Sequence, residues 1–79
     1  MITVYVKPGH CRYCEAVKAR LTKEGVKHEV RDIDEKVLTL AKLKGWKAAP
    51  IVVSTEHPEL AFAGGSQASL DTFVEAHKP

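Results

Sequence analysis

Hydrophobic and polar positions change their period several times along this chain, and each change predicts an element. Ile2-Thr3-Val4-Tyr5-Val6 is a β-branched and aromatic run, which predicts a strand buried on at least one face. Pro8 and Gly9 break it. From about Arg12 to Glu24 the period lengthens: Cys14, Val17 and Leu21 recur at helical spacing, and Gly25 stops the helix. Val26 to Arg31 alternates apolar with polar residues, predicting a half-exposed strand. Asp34 can cap a second helix that carries Val37, Leu40 and Ala41 on one face and ends at Gly45. Ile51-Val52-Val53, entered through Ala49-Pro50, reads as a third strand. Leu60-Ala61-Phe62-Ala63 reads as a fourth, with Glu56-His57-Pro58 in the turn before it. Gly64-Gly65 ends that strand. Ser66 then caps a last helix with Leu70, Phe73 and Val74 inward and His77 and Lys78 at its C-terminal end. The order β-α-β-α-β-β-α predicts an α/β fold with a four-stranded mixed sheet and three helices. The first two crossovers can be parallel, and the short link between strands three and four permits an antiparallel hairpin.

Composition narrows the class. Seventy-nine residues suffice for one small domain, spanning 1–79, near the lower limit at which a core alone offsets chain entropy. The chain is 44% hydrophobic and 28% charged, which argues against disorder. A net charge of +2 with scattered basic residues gives no footprint for nucleic acid. No apolar stretch approaches the ~20 residues of a membrane span, and the amino terminus lacks a signal-peptide pattern. One Cys-x-x-Cys and no export signal fit a reducing, cytoplasmic setting, and a monomer is expected.

The chemistry concentrates at Cys11-Arg12-Tyr13-Cys14, which holds both cysteines of the chain. The pair sits where the first strand turns into the first helix. Unpaired backbone N–H groups and the helix dipole there stabilise a thiolate. A structural disulfide is the alternative, but a loop with two intervening residues restricts the unfolded chain very little. The spacing therefore points to thiol–disulfide exchange, with metal binding or inert thiols as the other readings. Cys11, near the surface with Arg12 adjacent and Lys7 four residues back, is the expected nucleophile. Its expected pKa lies below the free value of ~8.5. Helical spacing turns Cys14 toward the core, where it can displace the product from a mixed disulfide. His10 could tune the thiolate or join the cysteines on a metal. His28, His57 and His77 are dispersed, however, so a structural zinc is not expected.

Taken together, the N-terminal strand, the Lys7-Pro8-x-x-Cys11-x-x-Cys14 turn, the strand entered through Ala49-Pro50 and the Gly64-Gly65 before the last helix resemble a glutaredoxin-type thioredoxin fold. The similarity covers essentially the whole chain. Within that group, Gly45-Trp46-Lys47-Ala48-Ala49-Pro50-Ile51-Val52-Val53 and the short length look more like the NrdH-type redoxins. These are reduced by thioredoxin reductase and supply ribonucleotide reductase. Tyr13 before the second cysteine is the choice of ordinary glutaredoxins, which draw electrons from glutathione. No cofactor is implied by either branch; a cluster- or metal-binding module using the same cysteines is a third reading.

The resemblance also assigns a substrate surface. It implies that Pro50 is cis and faces the dithiol, an isomer that costs only ~0.5–1 kcal/mol at an X–Pro bond. Ala49 would then expose a backbone edge to a peptide or to glutathione. The residues alone leave open a proline that merely starts the strand. Lys7, Arg12, Tyr13, Gly64, Gly65 and Ser66 complete the implied surface. Glutaredoxins generally carry Gly-Gly-x-Asp here, with the aspartate facing the γ-glutamyl ammonium. This chain has Gln67 instead. Loss of an exposed charge partner costs on the order of 1 kcal/mol, so a glutathione site about tenfold weaker is expected. Trp46 could form part of an apolar docking surface or pack against the second helix.

Overall fold

A computed structural model describes residues 1–9 and 11–78. The chain runs β1 (Ile2–Val6), α1 (Arg12–Lys23), β2 (Glu29–Asp32), α2 (Glu35–Lys44), β3 (Ile51–Ser54), a 3₁₀ turn (Pro58–Leu60), β4 (Phe62–Ala63) and α3 (Gln67–His77). The strands form one sheet in the order β2-β1-β3-β4. β1 pairs parallel with β2 through Thr3 opposite Glu29, and antiparallel with β3 through Val4 opposite Val52. β3 and β4 are antiparallel. The crossover through α2 therefore reverses the chain, and only the crossover through α1 joins parallel strands. The expectation that both could be parallel fails for the second, because β3 enters the sheet beside β1 in the antiparallel direction, with Val4 opposite Val52.

Alternation along the strands sorts side chains onto two faces. Ile2, Val4, Val52 and Phe62 face one side, where Val17 and Leu21 of α1 and Leu70, Phe73 and Val74 of α3 cover them. Tyr5, Ile51 and Val53 face the other, against Val37 and Ala41 of α2. Phe62 meets Phe73 edge to face with centroids 5.6 Å apart, a geometry that favours aromatic pairs. The larger cluster is fully enclosed; the α2 side is thinner because one helix covers it.

The helix ends explain how these layers are held. After α1, Gly25 takes φ +71° and donates to the Thr22 carbonyl, while Val26 N–H reaches the Leu21 carbonyl at 2.9 Å. After α2, Gly45 takes φ +75°, and Trp46 N–H reaches the Ala41 carbonyl at 2.8 Å. Both are Schellman closures, and each brings an apolar residue back onto the last turn. Val26 is consequently buried, but it belongs to the helix stop and not to a strand. This corrects the expected strand over Val26 to Arg31: β2 starts at Glu29, and all four of its residues are exposed. Lying at a sheet edge, it carries Glu29 and Arg31 as an exposed ion pair, a charge pattern that discourages edge-to-edge pairing. The expected fourth strand is also shorter. Pro58 opens a 3₁₀ turn closed by Leu60 N–H on the His57 carbonyl, which leaves Phe62–Ala63 to pair.

Candidate active site

Three segments from distant parts of the chain meet beyond the end of β1. The first is the turn after that strand, where Gly9 at φ +87° bends the chain toward α1. Cys11 is the N-cap of α1 in extended conformation, and its Sγ accepts a hydrogen bond from Cys14 N–H at 3.3 Å. A sulfur thus fills the place usually taken by a serine or aspartate oxygen, which aims an unpaired helix donor at it. Cys11 and Cys14 are disulfide-bonded, with Cα atoms 5.2 Å apart. Cys14 is 2% exposed, whereas Cys11 remains partly accessible. Arg12 and Tyr13 point outward, Tyr13 at 51% exposure, and Arg12 joins no ion pair among the described residues. His10, considered as a tuning or ligating residue, lies outside the described residues.

The second segment is the Ala49–Pro50 bond, which is cis. Pro50 is fully buried and Ala49 half-buried. The third is the glycine pair after β4. Gly64 N–H donates to the Pro50 carbonyl at 2.9 Å, and its backbone lies so close to Ala48 that an added Cβ would stand 3.3 Å from the alanine's own. At Gly65 the ring of Tyr13 occupies the place a side chain would take. Gly64 also takes φ +82°, a conformation only glycine adopts cheaply, and Gly65 lies beneath the tyrosine of the dithiol turn. Ser66 sits beyond them, its Oγ accepting from Ser69 N–H at 3.3 Å as the cap of α3.

A groove of about 390 Å³ opens beside this junction, lined by Lys7 and Pro8 on one side and by Trp46, Ala48 and Ala49 on the other. Leu38 and Ile33 also line it, and neither was singled out in the sequence. Leu38 is half exposed on the shoulder of the apolar stripe of α2, a position its helical spacing alone does not distinguish from core. Trp46 packs against the Val37 and Ala41 cluster and also lines the groove.

Gln67 is engaged along its own helix. Its side-chain amide donates to Asp71 at 3.1 Å, and Asp71 also takes Arg20 at 2.8 Å. The Arg20 guanidinium, with help from Gln67, holds the Asp71 carboxyl below the usual carboxylate range. Arg20 in turn meets Glu24, tying α1 to α3. Among the described residues, no three His, Cys, Asp or Glu side chains gather as metal ligands would.

A dithiol at a helix start, one sulfur buried and one reachable, is an arrangement for thiol–disulfide exchange. The family model for glutaredoxin matches residues 2–57. The chain belongs to the glutaredoxin family. It is a thiol–disulfide oxidoreductase of that family, with a thioredoxin-like fold. A solved structure of NrdH-redoxin from Escherichia coli, described as a glutaredoxin-like protein with a thioredoxin-like activity profile, superimposes with a TM-score of 0.72. The match covers 90% of this chain and 91% of that one at 20% identity. No curated protein sequence matches significantly. No helix of the described residues is long and apolar enough to cross a membrane.

Proposed function

We propose that this glutaredoxin-family protein is a dithiol reductant of protein disulfides, recharged by thioredoxin reductase and donating to ribonucleotide reductase in the cytoplasm as a monomer. In the reduced state the Cys11 thiolate attacks one sulfur of the target disulfide. A Cys11–target disulfide forms, and the other target sulfur leaves as a thiolate. Cys14, deprotonated, then attacks Cys11 Sγ, which closes the Cys11–Cys14 disulfide and releases the second target thiolate. Two electrons pass to the target, and the reductase returns them. Arg12 and Lys7 supply positive charge beside the thiolate, while Ala49 and Pro50 line the target's path. Tyr13, Gly64, Gly65 and Ser66 wall the opposite side.

The observation that carries the choice of reductant is Gln67. Its side chain is neutral and already held by Asp71, so it offers no anion to the γ-glutamyl ammonium of glutathione. Support for the other branch, a glutathione-dependent glutaredoxin, comes from Lys7, Tyr13 and the glycine pair, which keep the rest of that pattern. NADPH consumption separates the two. Oxidised protein with thioredoxin reductase should turn over readily, and with glutathione plus glutathione reductase poorly. Gln67→Asp should raise the glutathione-linked rate about fivefold to tenfold, the equivalent of ~1 kcal/mol, at fixed ionic strength. Equal turnover of the unmodified protein with both systems transfers the assignment to the glutaredoxin branch.

A further inference from the structure

The charges of this protein are not evenly paired. From Lys36 to Thr55 the sequence contains Lys36, Lys42, Lys44 and Lys47 and no acidic residue at all. Among the described residues, none of these four lysines forms an ion pair, and neither does Lys7 or Arg12. Acids elsewhere are engaged: Glu15 with Lys18, Glu24 and Asp71 with Arg20, Glu75 with Lys78, and Glu56 with the N-terminal ammonium. Positive charge is therefore left uncompensated on the side formed by the dithiol turn, α2 and the loop from α2 to β3. The helix dipole accounts for Lys42 and Lys44 in the last turn of α2. It does not account for Lys47 and Lys7, which lie outside any helix and line the groove. Nor does it account for Lys36, which stands at the unfavourable positive end. Asp34 caps Val37 N–H at 2.9 Å, and Asp32, Asp34 and Glu35 all lie at or before the start of α2, whereas Lys42, Lys44 and Lys47 lie at or beyond its other end.

The same side presents apolar surface where lysine charge would otherwise be fully hydrated. Leu38, half exposed, borders the groove, and Lys42 stands beside it one turn further along α2. A cationic rim around an apolar slot complements a segment that is acidic with an apolar side chain in its midst.

We infer that this face docks an extended, acidic polypeptide segment that carries the target disulfide, with an apolar side chain beside the disulfide entering the groove between Lys7 and Trp46. This inference rests on the reading of the protein as a reductant of protein disulfides. Its effect lies mostly in association, since exposed charges steer encounter more than they add affinity.

Three synthetic peptides test it, each closing the same Cys-x-x-Cys disulfide and flanked by Asp and Glu, by Ser and Gly, or by Lys. The reduced protein should reduce the acidic peptide about tenfold faster than the basic one at low salt. That ratio should shrink toward one near 1 M salt, where the screening length is ~3 Å. The double substitution Lys42→Glu with Lys47→Glu should reverse the order; because the ratio compares two peptides on one protein preparation, a loss of folded protein leaves it unchanged. Equal rates on the acidic and basic peptides at low salt overturn the charge-docking inference and leave the reductase reading standing. A preference that survives the double substitution overturns the assigned surface. Failure to reduce any peptide overturns the reductase reading and this inference together.

Discussion

Cys11 and Cys14 differ in one physical respect that separates their roles: the first caps a helix at the surface, the second is buried one turn along. In the reduced protein, Cys11 should alkylate at least several-fold faster than Cys14 at neutral pH, because exposure and the helix N–H groups both favour attack there. Mass mapping of singly modified protein measures this; equal labelling of the two positions would remove the assignment of nucleophile. Cys14→Ser should accumulate mixed disulfides with target proteins, since nothing remains to displace them. Tyr13 and Gly65 form a second residue-level pair. Gly65→Ala sets a methyl against the tyrosine ring, so it should destabilise by ~1 kcal/mol and force the ring outward. In a Tyr13→Ala background the same substitution should cost far less. A double-mutant cycle of chemical denaturation midpoints gives the coupling, and additive costs would mean that the ring yields freely.

Elements are joined here by a few polar fastenings rather than by long strands. Ser54, at the end of β3, is the buried polar residue of this core. Its Oγ accepts from the backbone N–H groups of Glu56 and His57 at 3.2 Å each. It also lies 2.7 Å from His77 Nε2 and 3.1 Å from a Glu56 carboxylate oxygen. His77 Nδ1 lies 2.7 Å from the Phe73 carbonyl, which fixes a proton on that nitrogen, and the ring stacks on Phe73 at 4.4 Å. One hydroxyl thereby links β3, the following turn and the end of α3. Ser54→Ala leaves two backbone donors and a histidine nitrogen without their partner. It should cost about 1–3 kcal/mol, more than its size implies. Urea unfolding tests this, and a loss below ~0.5 kcal/mol would show that water replaces the hydroxyl without penalty.

At the scale of the whole molecule, the start of the first strand is tied by charge to the turn that follows its neighbour β3. The Met1 ammonium bonds the Glu56 carboxylate and lies 2.8 Å from Thr55 Oγ1, and Met1 carbonyl takes Thr55 N–H at 3.0 Å. The ammonium first, then backbone N–H and the Ser54 hydroxyl, hold the Glu56 carboxyl down at about 2 against an ordinary 4.5. A carboxyl depressed in the folded state contributes stability that is complete above its unfolded value and is lost as pH falls through the folded one. Urea midpoints of the wild type should therefore drop between about pH 4.5 and pH 2 more steeply than those of Glu56→Gln. Parallel curves would show that this tie adds nothing in solution. Glu56 is solvent-exposed, so added salt should flatten the difference.

By itself the sequence determined whatever depends on neighbours along the chain. Glycines at 25 and 45 mark helix ends because a left-handed residue there is cheap only for glycine. Asp34 and Ser66 mark helix starts because their oxygens reach donors three residues on. The cysteine spacing likewise carries its chemistry within one helical turn, and the strand alternation of β1 anticipates its two faces. Tertiary structure decided what depends on which segments meet. The sequence does not show that Val26 closes a helix, since the same apolar residue would serve a strand equally well. Nor does it show that β3 docks beyond β1 in reverse, because local spacing has no direction. Gly64 and Gly65 read as a strand stop, and only the fold sets the first against Ala48 and the second beneath a tyrosine more than fifty residues earlier. Gln67 is visible as a missing acid four residues before Asp71 on one helix, but only the fold brings Arg20 to Asp71. Contacts distant in sequence are set by packing two helices on one face and one on the other, and that choice is made by the whole core at once.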